Sequence, residues 1–146
     1  MPGMDTRKKI VDFLARTSTV LHSAAVVIDA NGERIDQVVD ILKGARERGS
    51  MVWLIGNGGS ASTASHFAND LLKVSGIRAV AVPDMTPTIL AYGNDTGWEK
   101  MFVGTMQMLQ RPGDVLVIFS CSGNSENVVE SAKDWDAGRV VVFTGS

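Results

Sequence analysis

Several features that mark secreted, membrane-bound or nucleic-acid-binding proteins are scarce or absent in this 146-residue sequence. Its single cysteine, Cys121, cannot form a disulfide within the chain. The N-terminal run MPGMDTRKKI lacks the apolar stretch of a signal peptide, and no apolar run approaches the roughly 20 residues that cross a bilayer. The 14 basic and 16 acidic residues give a net charge of −2 and form no basic stripe. We therefore expect a cytoplasmic protein that has neither a membrane nor a nucleic acid as its partner.

Hydrophobic residues, by contrast, make up 45% of the chain, which is enough for one folded domain over residues 1–146. Apolar side chains at helical spacing predict a long helix over Thr6–Ala30 and a second over Ile35–Ala45 that ends at Gly49. Each helix has one apolar stripe, which it cannot bury alone. We therefore expect this helical pair, about residues 6–48, to pack on itself or on another subunit.

From about residue 51 to residue 146, short apolar runs alternate with helical patterns. Continuous apolar strands joined by helices predict an α/β fold, a doubly wound parallel sheet flanked by helices, with ligands at the carboxyl ends of the strands. Turn residues between Pro83 and Gly97 predict a long loop with one short helix near Thr86–Tyr92. The last residues, Thr144–Ser146, have the character of a strand-to-helix turn, and we interpret the C-terminus as truncated. The predicted strands are Met51–Ile55, Arg78–Val82, Asp114–Phe119 and Arg139–Phe143, and the predicted helices between and after them are Ser60–Val74, Trp98–Gln110 and Ser125–Ala137.

The first predicted strand of this region runs into a glycine-rich turn, Asn57-Gly58-Gly59-Ser60, that precedes a helix. Glycine lets the backbone approach a ligand and leaves amide groups pointing at the helix N-terminus, where the helix dipole favours an anion. The turn therefore suits a phosphate or a sugar hydroxyl. A tight turn with Ser60 as a helix N-cap and no ligand is the alternative.

A second polar turn follows the third predicted strand and contains Ser120, Cys121, Ser122 and Ser125. Hydroxyl and backbone donors at a helix N-terminus bind phosphate oxygens without a basic residue. A capping box at Ser125 is a weak alternative because Val128, three residues on, is neither Glu nor Gln. For Cys121 we favour packing or backbone contact over covalent chemistry. The two turns are expected to converge on one phosphate group.

His66 and Asp70 lie four residues apart on the helix after the first turn, so they share one face. That pair is compatible with metal ligation or with acid–base catalysis. An ordinary surface pair is the alternative, and a zinc site needs more ligands than these two.

Three segments of the chain, LIGNGGSASTASHFANDLL, AYGNDTGWEKMF and GDVLVIFSCSGNSENVV, resemble the SIS (sugar isomerase) domain family in order and approximate spacing. The resemblance implies a parallel five-stranded sheet and a homotetramer built partly from the N-terminal helices, with active sites at subunit interfaces. It also implies zinc bound by His66 and by Asp70, which stands where the family's isomerases have a glutamate. The remaining metal ligands and a second acid–base histidine are implied in a C-terminal segment beyond residue 146. By motif match, the substrate is contacted by Asn57, Gly58 and Gly59, the sugar by Asn94 and Asp95, and the phosphate by Ser120, Cys121 (a threonine in the family), Ser122 and Ser125.

The activity that the resemblance implies is ketose–aldose isomerisation of a phosphorylated sugar, interconverting sedoheptulose 7-phosphate and a heptose 7-phosphate. A base removes the proton next to the carbonyl, and Asp70 is the plausible candidate for that base in this chain. The alternative is a non-catalytic sugar-phosphate sensor or protein-assembly factor, since some SIS domains lack isomerase chemistry.

Overall fold

Two helices, α1 (Thr6–Ala30) and α2 (Gly32–Arg48), come first in the computed structural model. The structure describes the backbone of residues 6–145 and the side chains of residues 7–19 and 31–145. Both predicted N-terminal helices are confirmed, α1 with the predicted bounds. The chain divides into two compact units, Met1–Val38 and Val39–Ser146. The interpretation of residues 1–146 as a single domain stays a prediction.

The unit that contains α1 exposes apolar side chains along that helix. Ile10, Val11, Phe13 and Leu14 are each more than half exposed. Apolar residues spaced in this way form one stripe on a helix, and such a stripe gains stability only when another surface covers it. No described helix is long and apolar enough to cross a membrane.

The second unit contains four strands, which are β1 (Val52–Gly56), β2 (Ala79–Ala81), β3 (Val115–Ser120) and β4 (Arg139–Thr144). They form one parallel sheet in the order β2-β1-β3-β4. Because β1 lies between β2 and β3, the strand order reverses between β1 and β3, and a crevice opens at the carboxyl ends of strands at such a switch point. Gly56 at the end of β1 pairs with Phe119 near the end of β3, so both strands end at the same edge of the sheet. The helices of this unit are α3 (Gly59–Lys73), α4 (Thr86–Thr96), α5 (Met101–Gln107) and α6 (Glu126–Lys133). Short 3-10 turns lie at Val82–Asp84 and Trp98–Lys100.

The fold class predicted from the sequence is confirmed, and the described residues form four of the five strands that the resemblance implies. Three local predictions were wrong, one of them the helix Ser125–Ala137, which ends at Lys133. The predicted loop Pro83–Gly97 is mostly helical, because α4 extends four residues beyond the predicted short helix to Thr96. The predicted helix Trp98–Gln110 is a 3-10 turn followed by the shorter α5. Tertiary packing explains the longer α4: a Cβ at Gly104 of α5 would collide with the ring of Tyr92 of α4, so glycine at 104 lets the two helices approach closely.

The core of this unit lies on both sides of the two central strands. Every residue of β1 is buried, and so is β3 except at Phe119. Trp53 and Leu116 pack in one cluster with Phe102 of α5 and other buried side chains. Strand β4, at the sheet edge, has only Val141 buried.

A buried carboxylate, Asp114, joins the starting ends of the two central strands. It accepts hydrogen bonds from the backbone N–H groups of Met51 (2.8 Å) and Arg111 (3.0 Å) and from Nε1 of Trp53 (2.9 Å). A buried carboxylate is tolerated when several donors satisfy it. Asp114 therefore fixes β1 relative to β3 at the end of the sheet opposite the crevice.

Candidate functional site

The junction between β1 and α3 is tightly built. A Cβ on Gly56 would lie 2.7 Å from the backbone of Ser60, so only glycine lets the end of the strand approach the first turn of the helix. Gly58 is the N-cap and has a φ of 52°, in the left-handed region. The amides of Ser60 and Ala61 donate to the carbonyl of Asn57. Among the described residues, no acceptor is found for the amides of Gly58 and Gly59, which suits them to an anionic ligand.

The junction between β3 and α6 is organised by its own serines. Oγ of Ser120 accepts a hydrogen bond from the amide of Gly123 (3.1 Å), and Oγ of Ser122 accepts one from Asn124 (3.3 Å). Because it accepts this bond, the Ser120 hydroxyl can still donate its own hydrogen. Ser125 is the N-cap of α6 but makes no side-chain capping bond, so the capping alternative is not realised.

The structure brings these two junctions together. They line one crevice of about 380 Å³ at the carboxyl ends of β1 and β3, and none of the described side chains that line it is charged. An anion placed there would meet backbone amides, hydroxyl groups and the N-terminal ends of two helices, which is sufficient for phosphate recognition. The lining residues are Asn57, Gly59, Ser60, Thr63, Phe119, Ser120, Cys121, Ser122 and Ser125.

A pair of side-chain amides connects the two junctions directly. Nδ2 of Asn57 donates to Oδ1 of Asn127, and Nδ2 of Asn127 donates to Oδ1 of Asn57, both at 2.9 Å. Asn127, on the first turn of α6, is fully buried. Its Nδ2 also lies 3.3 Å from Sδ of Met101. The glycine-rich junction is thereby tied to the helix that follows the serine junction.

A second, larger groove of about 590 Å³ adjoins the crevice and shares Thr63 and Phe119 with it. Its wall is aromatic: Phe119 makes an edge contact with Phe67 (5.9 Å between ring centroids) and stacks on Phe143 (5.1 Å). Its polar groups come from α3, and they include both members of the predicted His–Asp pair. The lining residues are Ser62, Thr63, His66, Phe67, Asp70, Phe119 and Phe143.

His66 and Asp70 lie on one face of α3, as predicted. Nε2 of His66 is 3.5 Å from Oδ2 of Asp70, and the two side chains are 79% and 49% exposed. Structural zinc takes four protein ligands and catalytic zinc usually three. Among the described residues, no group of three or more His, Cys, Asp or Glu side chains is placed to hold a metal ion. The described residues therefore fit part of a zinc site and not a whole one.

The structure does not bring all the predicted site residues together. Asn94 and Asp95, on the last turn of α4, are exposed and line neither the crevice nor the groove. Nδ2 of Asn94 donates instead to Oδ1 of Asp95, at 2.8 Å. Gly58 is the helix N-cap and does not line the crevice. Contact between these residues and a substrate stays a prediction.

Six residues around the site were not predicted from the sequence, and two of them, Ser62 and Phe143, line only the groove. Thr63 lies three positions after Ser60, on the same face of α3, and that spacing was an available signal. Phe67, Phe119 and Asn127 gave no such signal, because their place at the site depends on contacts between separate elements.

Charged side chains connect α6 to the 3-10 turn before α5. Nζ of Lys100 lies 3.0 Å from Asp134 and 3.4 Å from Glu130, and Nζ of Lys133 lies 2.8 Å from Glu130. The hydrogen bond to Asp134 is the main cause that raises the pKa of Lys100 above 10.5. The hydrogen bond from Lys133 is the main cause that lowers the pKa of Glu130 below 4.5.

The fold and this crevice define an α/β protein whose candidate ligand site lies at the carboxyl ends of parallel strands. A family model described as SIS domain matches residues 15–144, and the chain belongs to the SIS domain family. It is 35% identical over 124 residues to a phosphoheptose isomerase of Thiobacillus denitrificans, an alignment covering 80% of this chain and 63% of that protein. It is 36% identical over 120 residues to a phosphoheptose isomerase of Geotalea daltonii, covering 76% of this chain and 62% of the relative.

Solved structures agree with these sequence relationships. The phosphoheptose isomerase GmhA from Neisseria gonorrhoeae superposes with a TM-score of 0.84 at 30% identity, covering 94% of this chain and 74% of that one. The chain spans less than two thirds of the length of the two curated relatives described above. The resemblance to the SIS family is thereby confirmed.

Proposed function

We propose that this chain belongs to a sugar-phosphate isomerase that interconverts sedoheptulose 7-phosphate and a heptose 7-phosphate. The observation that carries the proposal is the convergence of two donor-rich strand-to-helix junctions on one crevice, whose described lining residues are all uncharged. Relatives named phosphoheptose isomerase support the choice of substrate class.

In this proposal the crevice holds the phosphate group. The amide of Gly59 and the hydroxyl groups of Ser120 and Ser125 donate to its oxygens, with Asn57, Ser60, Cys121 and Ser122 beside them. Gly58 does not line the crevice and shapes the turn as the N-cap of α3. Helix dipoles from α3 and α6 contribute the positive potential that a basic residue would otherwise provide. The backbone amides give this binding its direction because the backbone fixes where each N–H group points, while the serine hydroxyl groups can rotate to suit the ligand.

The sugar chain then follows α3 from the crevice into the groove. Ser60 and His66 are separated by six residues, or about 9 Å along a helix axis. An open-chain sugar that extends from its phosphate reaches the His66–Asp70 pair along this route, past Thr63. Asn94 and Asp95 are assigned to the sugar hydroxyls, and they would enter from a second copy of the chain at a subunit interface.

The proposed reaction moves one proton between neighbouring carbons. The carboxylate of Asp70 removes a proton from C1 of the ketose, and the electron pair left behind forms the double bond between C1 and C2. The carbonyl oxygen on C2 takes up a proton at the same stage, which gives the enediol. The protonated Asp70 then returns its proton to C2. The hydroxyl group on C1 loses its proton and becomes the aldehyde, which gives the aldose. His66 holds the Asp70 carboxylate in place from one helical turn away.

We also propose His66 and Asp70 as two ligands of a zinc ion, with the rest of its shell supplied from outside the described residues. Zinc bound there would polarise a substrate oxygen.

We further propose that the protein forms a homotetramer through α1 and α2 and that it is located in the cytoplasm. Exposed apolar side chains on α1 support the oligomer, and the single cysteine supports a reducing compartment.

The test is deuterium exchange catalysed in heavy water. The protein, supplied with zinc and sedoheptulose 7-phosphate, is expected to catalyse incorporation of deuterium at C1 of the ketose and at C2 of the aldose that forms. Asp70→Ala is expected to lower the rate by about 10²–10⁴-fold, the usual contribution of a positioned base. Asp40→Ala, which removes an exposed carboxylate of α2, is the matched control. Deuterium exchange by Asp70→Ala at the wild-type rate would contradict the role of Asp70 as the base.

A second candidate function is a non-catalytic sugar-phosphate sensor or assembly factor. The observation that favours it is the lack of a third metal-ligand side chain near His66 and Asp70 among the described residues. This candidate predicts tight binding of the sugar phosphate with no deuterium exchange, whereas the isomerase predicts both.

A further inference from the structure

The amide pair between Asn57 and Asn127 leaves no polar group of Asn127 unsatisfied. Its Oδ1 accepts from Asn57, one Nδ2 hydrogen goes to Oδ1 of Asn57, and the other faces Sδ of Met101. A fully buried carboxamide without these partners would be costly. The burial of Asn127 therefore depends on Asn57, a residue 70 positions away that lines the crevice.

The sulfur of Met101 makes one orientation of the pair preferable. If both amides turned over together, nitrogen and oxygen would exchange places and the two mutual hydrogen bonds would re-form. Oδ1 of Asn127 would then face the thioether, which accepts hydrogen bonds and donates none. The orientation with Nδ2 toward Met101 avoids that contact between two acceptors.

In this orientation Asn57 retains a donor. Its Oδ1 and one Nδ2 hydrogen are engaged by Asn127, and its second Nδ2 hydrogen has no acceptor among the described residues. Asn57 lines the crevice, where an anionic oxygen of a ligand is an acceptor within reach. The opposite orientation would interchange the donor and acceptor positions of the amide.

We propose that Asn127 is a positioning residue for the crevice, which fixes the carboxamide of Asn57 so that it presents an N–H group to a phosphate oxygen. The same pair holds the glycine-rich junction against the start of α6, so the donors of both junctions keep a fixed separation. Preorganised donors bind an anion more tightly than mobile ones because less ordering is needed on binding. This inference rests on the proposed sugar-phosphate function.

A double-mutant cycle tests the inference, with sedoheptulose 7-phosphate as the probe and calorimetry as the measurement. Asn127→Leu removes the amide at similar size without adding charge, and Asn57→Ala removes the proposed donor. Each is expected to raise the Kd about tenfold, and the double variant is expected to bind no more than twofold more weakly than Asn57→Ala alone, since the two residues act as one unit.

Ser131→Ala is the matched control. Ser131 is a buried residue of α6 whose Oγ donates to the backbone carbonyl of Asn127, at 2.7 Å, without touching Asn57. It is expected to lower the thermal midpoint while the Kd stays within twofold of the wild type. If Asn127 had a purely structural role, the fold-changes in Kd caused by Asn57→Ala and Asn127→Leu would instead multiply in the double variant.

The possible results separate the two proposals. Binding by the wild type together with a coupled cycle supports the positioning role. Binding by the wild type with independent effects, or with Asn127→Leu binding normally, overturns the positioning role alone. Failure of the wild type to bind the sugar phosphate overturns the proposed function and this inference with it.

Discussion

At the scale of single residues, the length of the Asp70 side chain bears directly on the proposed proton transfer. The family resemblance implies that aspartate stands here where the isomerases have a glutamate, and an aspartate carboxylate reaches about 1.5 Å less far. The side chain is 49% exposed in the groove, so the site has room for one more methylene group.

We therefore expect Asp70→Glu to retain turnover within about tenfold of the wild type, while Asp70→Asn, which cannot accept the proton, loses about 10²–10⁴-fold. The measurement is kcat for both variants with sedoheptulose 7-phosphate. Equal rates for Asp70→Asn and the wild type would exclude a general base at this position.

The residues around the crevice also show which parts of the site were accessible from sequence. Gly59, Ser120 and Ser122, which line the crevice, were predicted because glycine and serine at strand-to-helix turns can present donors to an anion. The burial of Asn127 was not predicted, because it depends on a partner 70 positions away and on no local pattern. Phe119 was assigned only to a strand, since a single sequence does not tell which strand residues face a ligand.

At the scale of secondary-structure elements, the close approach of β1 to α3 at Gly56 shapes the glycine-rich junction. A methyl group there would lie 2.7 Å from the backbone carbonyl group of Ser60, so the first turn of α3 must move. We expect Gly56→Ala to lower the free energy of unfolding by about 1–3 kcal/mol and to weaken sugar-phosphate binding, as measured by chemical denaturation and calorimetry.

The matched control for that prediction is Gly32→Ala at the start of α2, where an added Cβ meets nothing within 4 Å. Its stability is expected to equal or slightly exceed that of the wild type, because alanine has the higher helix propensity. Equal stability of Gly56→Ala and the wild type would show that the junction tolerates the displacement.

The charged groups that join α6 to the Trp98–Lys100 turn predict a pH dependence of stability. The pKa of Glu130 is lowered, so its contribution is present above 4.5 and is lost as the pH falls through the lowered value. The pKa of Lys100 is raised, so its contribution is present below 10.5 and is lost as the pH rises through the raised value.

Lys100→Met is therefore expected to have a thermal midpoint that falls less steeply than that of the wild type above pH 10.5. The effect is small because the side chains are partly exposed and water screens the ion pairs. Thermal unfolding from neutral to alkaline pH measures it. Parallel curves for the two proteins would contradict the assignment.

Sequence patterns predicted the order of elements better than their lengths. The strands β1 and β3 were recognisable because continuous apolar runs are typical of strands buried on both faces. The length of α4 was not, because Gly93, Asn94 and Asp95 favour turns locally, whereas α4 as a whole packs against α5. Local propensity was overridden by contacts that a single sequence does not reveal.

At the scale of the whole molecule, the apolar stripe of α1 predicts self-association. Phe13 is 67% exposed and Leu14 58%, and a second copy of the chain is the partner that the proposed tetramer supplies. We expect the double variant Phe13→Glu/Leu14→Glu to have a lower mass than the wild type by light scattering, because charges in an apolar interface are costly.

Val74→Glu is the control, since this residue is 78% exposed at the end of α3 and lies outside the N-terminal helices. Its mass is expected to equal that of the wild type, near four times that of one chain. A monomeric wild type, or a double variant of unchanged mass, would contradict assembly through α1.

The most direct test of the account is an NMR titration that follows the backbone amides of the wild-type protein as sedoheptulose 7-phosphate is added. We predict that amide signals of both junctions, residues 57–60 and 120–125, shift together with one saturation curve. The unphosphorylated sugar should produce no comparable shift. Shifts confined to one junction, or absent from both, would contradict the convergence of the two junctions on a single phosphate.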